Sequence, residues 1–81
     1  MEYTFGPFRL EDGSRVLYRG GDIVPLPPKA IEILGVLLET RGQLVTKEDL
    51  IQRVWPDTFV EEHNLVHYVS QLRKVLAIGL G

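Results

Sequence analysis

The apolar residues change their spacing at Pro27-Pro28, and that change divides the chain into two kinds of structure. Before it they alternate, at Tyr3 and Phe5, at Phe8 and Leu10, and at Val16 and Tyr18, with Ile23 to Leu26 following. Alternation puts successive side chains on opposite faces of an extended backbone, so residues 1–26 read as a four-stranded antiparallel sheet. The breaks are Gly6-Pro7, Asp12-Gly13-Ser14 and Gly20-Gly21. Each supplies a residue tolerant of positive φ or one whose φ is preset, and Gly20-Gly21 is the clearest hairpin turn.

From Pro28 onward the spacing is helical. Ala30, Ile31, Ile33, Leu34, Leu37 and Leu38 make one broad apolar face, while Lys29, Glu32 and Glu39 fall elsewhere. Pro28 suits a first helical turn and Gly42 is the expected stop, which predicts a helix over 28–41. Gly35 costs about 1 kcal/mol relative to alanine inside a helix, tolerable where a neighbouring helix comes close. Gln43 to Val45 reads as a short extended link. Thr46 then has the chemistry of an N-cap, and Glu48-Asp49 suits the positive end of the helix dipole. A second helix over 47–55 follows, its inward face Leu50, Ile51 and Val54, and Pro56 prevents its continuation.

The third helix, over 61–78, is the longest. Leu65, Tyr68, Val69, Leu72, Val75 and Leu76 recur at the spacing of a core-facing stripe. His63, His67, Ser70, Gln71 and Lys74 line up on the other side, a row of hydrogen-bonding groups presented outward.

Composition removes several classes of function. At 81 residues there is room for one domain, and without cysteine there is neither a disulfide nor a thiolate metal site. No apolar run approaches the roughly 20 residues needed to span a bilayer, so no membrane contact and a cytoplasmic setting are expected. His63 and His67 have the four-residue spacing of paired metal ligands, but Asn64 follows the first histidine where a general-base glutamate would stand, and no third ligand is evident beyond Glu62 or a distant side chain. Ser14 and Ser70 lack a base partner by spacing, and Glu61-Glu62 are adjacent rather than opposed across a cleft. The expectation is a non-enzyme with no metal and no cofactor.

Order and residues together resemble the winged-helix effector domain of OmpR/PhoB-type bacterial transcription regulators. The resemblance is carried by L-P-P-K-A-I-E-I-L at Leu26 to Leu34, R-G-Q-L-V-T-K-E-D-L at Arg41 to Leu50, V-W-P at Val54 to Pro56, and V-E-E-H-N-L-V-H-Y-V-S-Q-L-R-K-V-L at Val60 to Leu76. Ser70 in the third helix is more similar to the ToxR/CadC-like branch. The resemblance implies an α+β winged helix-turn-helix that binds double-stranded DNA, with its third helix in the major groove. His67 and Gln71 resemble base-facing positions, and Val66 could touch a thymine methyl. Trp55, His63, Asn64, Ser70 and Arg73 resemble positions that hold phosphates. Helical geometry adds Lys74 to the same flank.

Two departures from the family pattern carry consequences. Ser70 and Gln71 stand where the response-regulator branch commonly has arginines, so Gln71 would favour adenine if it reads a base. The chain also stops at Leu76-Ala77-Ile78-Gly79-Leu80-Gly81, where the family continues into a β-hairpin wing. It therefore reads as a truncated domain with the wing missing. In the family the link at 43–45 pairs with that hairpin, so the expectation includes self-association as a homodimer or a domain-swapped oligomer. With a net charge of -2, any basic surface must be local, and the alternative is a winged-helix-derived protein-interaction module with little DNA binding.

Overall fold

The computed structural model describes residues 2–11, 13–41 and 43–80, and the side chains of these as far as Ala77. Four strands, β1 (Glu2–Phe5), β2 (Phe8–Glu11), β3 (Val16–Arg19) and β4 (Asp22–Val24), precede three helices, α1 (Pro28–Glu39), α2 (Lys47–Val54) and α3 (Glu62–Leu80). The strands form an antiparallel meander in the order β1-β2-β3-β4. Gly6 has φ 54° and Gly20 φ 62°, each at the first position of a two-residue loop, which is where a II′ hairpin turn needs left-handed backbone. Gly20 N–H also donates to Pro7 O at 3.1 Å, tying one turn to the other.

Register decides which face of the sheet is buried. Tyr3, Leu10, Leu17 and Val24 lie opposite one another across the four strands, and Phe5 faces Phe8 with ring centroids 5.4 Å apart. Leu10 and Leu17 are wholly buried. This corrects the alternation at Val16 and Tyr18: the inward residue of β3 is Leu17, and its two neighbours are half-buried. Val16-Leu17-Tyr18 is apolar at every position, so either phase satisfies the local pattern and the cross-strand partner Leu10 settles it. On the outer face the Arg9 guanidinium lies 4.2 Å from the centre of the Tyr18 ring and 3.0 Å from Glu2.

One core unites sheet and helices. Phe8, Leu10 and Leu17 share it with Ala30, Ile31, Ile33 and Leu34 of α1, Leu50 and Val54 of α2, and Leu65 and Leu72 of α3. Leu37, in the last turn of α1, is exposed rather than part of that face. The helix ends at Glu39, two residues before the predicted 41, where Thr40 leaves helical geometry at φ -104°, ψ 15°; its N–H still donates to Val36 O at 3.0 Å and its hydroxyl to the same carbonyl at 2.7 Å. Gly42, the expected stop of the first helix, and Asp12, assigned to a turn from sequence, lie outside the described residues. Residues 43–45 form no ladder among the described residues; Gln43 N–H donates to Thr40 O, Val45 packs on the core, and Leu44 is 94% exposed.

Candidate nucleic-acid interface

The helix-turn-helix begins with a fully formed capping box. Thr46 Oγ1 accepts the Asp49 N–H at 3.1 Å, and Asp49 Oδ2 accepts the Thr46 N–H at 3.4 Å. The helix stops at Val54, one residue before the predicted end, because Trp55 leaves helical geometry at φ -131°, ψ 66° and Pro56 has no N–H to continue with. Residues 56–61 form the turn, and the Asn64 N–H donates to Glu61 O at 3.0 Å as α3 begins. That helix runs Glu62–Leu80, against the predicted 61–78.

The two faces of α3 separate as its sequence requires. Leu65 and Leu72 are buried, and Tyr68, Val69, Val75 and Leu76 are half-buried against the core. His63, Asn64, Val66, His67, Ser70, Arg73 and Lys74 are all exposed, together covering about half the helix circumference at 100° per residue. Val66 is 50% exposed, an apolar side chain set among polar ones. Gln71 is the exception on this flank. It is half-buried, and its Oε1 is enclosed without a hydrogen-bond partner. Trp55, at the end of α2, is half-buried with its ring centroid 5.9 Å from that of Tyr68, which in turn lies 5.8 Å from the His67 ring. The structure thus brings every residue singled out from the sequence to one side of α3 or to the end of α2 beside it.

Charge on this side is mixed. Among the described residues Arg73 and Lys74 make no ion pair. His63 Nδ1 is 3.1 Å from Glu61, which sets a carboxylate beside one of the proposed phosphate ligands. Lys47 Nζ donates to Glu62 Oε1 at 2.6 Å, joining the first turn of α2 to the first turn of α3. That hydrogen bond, and then the carboxylate's charge, raises the Lys47 pKa above its ordinary value. Lys47 was not singled out from the sequence. It borders a groove of about 430 Å³ between α2 and α3, floored by Leu50, Leu65 and Val69 and rimmed by Val66, Ser70 and Arg73. Periodicity assigns a residue to a face of its own helix but carries no information on where two helices cross.

A small antiparallel sheet followed by three helices, the second and third joined by a short turn and the third open along one polar flank, defines the winged helix-turn-helix class. The chain belongs to the family described as "Transcriptional regulatory protein, C terminal", whose profile matches residues 21–79. It is 38% identical over 77 residues to the transcriptional regulator HilA of Salmonella typhimurium, covering 94% of this chain and 14% of that protein. Among solved structures it is similar to the DNA-binding domain of Escherichia coli CadC, with TM-score 0.79 and 26% identity, covering 90% of this chain and 68% of that one. It is also similar to the C-terminal domain of the nisin resistance regulator NsrR, a lantibiotic response regulator, with TM-score 0.74 and 35% identity, covering 94% and 79% respectively. The chain therefore spans about one-seventh of the length of HilA. Beside these relatives the protein-interaction alternative is not favoured.

Proposed function

We propose that this chain is the sequence-specific DNA-binding module of a bacterial transcription regulator, working in the cytoplasm by recognition rather than catalysis. The observation that carries this reading is the open flank of α3, whose polar row runs opposite the buried Leu65 and Leu72. Seated in a major groove, His67 and Gln71 face base edges and Val66 meets a thymine methyl. Trp55, His63, Asn64, Ser70 and Arg73 donate to phosphates, and Lys74 adds charge on the same side. Gln71 needs one further step: its amide must turn outward, exchanging an unpartnered buried oxygen for hydrogen bonds to a base.

A salt titration of duplex binding tests the reading. Each neutralised phosphate contributes a log-log slope of about -0.9, and a small set of contacts gives a slope several times that. Arg73→Ala should weaken all sequences alike, whereas Gln71→Ala should relax preference at one position. A flat titration, or the reverse division between the two variants, refutes the assignments.

We also propose that the chain self-associates. Leu44 and Phe59 are 94% and 88% exposed, apolar area that a second copy would cover. Light scattering at micromolar concentration should report more than a monomer; a compact monomer at every concentration excludes it.

A further inference from the structure

Lys29 sits against the dipole of its own helix, where only its i,i+3 pair with Glu32 serves α1. It lies in the first turn of α1, the positive end of that helix dipole, where an ammonium is disfavoured. Its side chain instead crosses to α2. Nζ donates to Val54 O, the last carbonyl of α2, at 3.1 Å, and lies 5.7 Å from the centre of the Trp55 ring. At a helix C-terminus a cation satisfies an orphan carbonyl and complements the dipole, and over an indole face it meets the negative side of the ring quadrupole. On its other side the ammonium is 3.0 Å from Glu32 Oε2, an ion pair out of hydrogen-bond alignment, and Glu32 Oε1 is held by Arg15 at 3.1 Å. Trp55 also packs against Tyr68 of α3. The indole is thus bounded by one group from α1 and one from α3.

We infer that Lys29 is a positioning residue for Trp55: it fixes the plane of the indole so that the indole N–H points outward at a duplex phosphate. The inference rests on the reading above, in which Trp55 donates to the DNA backbone, but the contact itself exists without DNA. Lys29 touches no phosphate. It acts by restricting the ring to one orientation before binding, which spares that ordering cost when the complex forms.

Trp55 is the only tryptophan, so tryptophan fluorescence reports the surroundings of this one side chain. In protein without DNA, Lys29→Met should raise the acrylamide quenching constant of Trp55, and Lys29→Arg, which keeps the cation, should restore it. Met keeps most of the aliphatic stem, and circular dichroism confirms that each variant is folded. With a mixed-sequence 30-base-pair duplex at low salt, Lys29→Met should weaken binding about fivefold, part of one hydrogen bond to a charged group. The same substitution in a Trp55→Phe background should have no further effect, and the salt slope should stay that of the parent.

Unchanged quenching overturns the inference. So does an equal affinity loss in both backgrounds, which would make Lys29 a general support, or a slope reduced by about one contact, which would make it a phosphate ligand itself. A parent protein that binds no duplex at low salt overturns the DNA reading, and with it any role of Lys29 in binding. The quenching arm, which needs no DNA, keeps the two failures distinguishable.

Discussion

Gln71 stands at the border between the two faces of α3, and under the proposed base-reading role its position there sets stability against recognition. Its enclosed, unpartnered Oε1 is a cost to the folded state that a methionine of similar shape would not carry. Gln71→Met should raise the unfolding free energy by about 1 kcal/mol in a denaturant titration while flattening base preference in a binding screen. A fall in stability would mean that the amide is satisfied after all. Arg15 is the other strained residue. At φ 56° it occupies left-handed backbone without being glycine, and in its pair with Glu32 the guanidinium is exposed and the carboxylate half-buried. Relief of that conformation against the extra flexibility of glycine leaves Arg15→Gly stabilising by about 0.5 kcal/mol, whereas Arg15→Val should cost more than about 1 kcal/mol. Neither the enclosure of Gln71 nor the left-handed backbone of Arg15 is visible in the sequence. Gln71 reads as one more polar residue of the open flank, and its enclosure depends on neighbours contributed from other parts of the chain.

The helices were the most legible elements, because their signals are local. Thr46 as an N-cap, Pro56 after Val54 and the recurrence of Leu65, Val69 and Leu72 each act within one or two turns, and the structure contains each as a cap, a stop or a core-facing stripe. Thr46→Ala should cost about 1 kcal/mol, with Thr46→Ser nearly neutral, read from thermal melts. Leu72→Ala should cost about 2 to 5 kcal/mol, so lost DNA binding in that variant would report unfolding rather than a missing contact. What the sequence did not disclose lies between elements: the phase of β3, set by Leu10 across the strand, and the Lys47–Glu62 bridge between α2 and α3. The raised Lys47 pKa gives that bridge a signature. Its contribution is fully present below the unfolded lysine value and is lost as pH rises through the higher folded value. The melting-temperature difference between the parent and Lys47→Met should hold from neutral pH to about pH 9 and close in the strongly alkaline range. A gap that is constant to high pH would show that Lys47 acts through packing.

Across the whole molecule, sheet and helices draw on a single core, with Phe8, Leu10 and Leu17 in the same cluster as Leu65 and Leu72. Backbone amides of Leu10, Leu17, Leu34, Leu65 and Leu72 should therefore exchange with solvent through one global opening, with a common protection free energy by hydrogen-exchange spectrometry. Separate values for the sheet and for α3 would show two cooperative units instead of one. The shared interior also limits how such a module can be governed. A signal that tried to recut the contour of α3 would have to disturb the strands as well, at the expense of the fold. Control is left to presentation: how many copies are offered, how they are tethered and which way they are turned, as a key is handed over or withheld without its teeth being refiled.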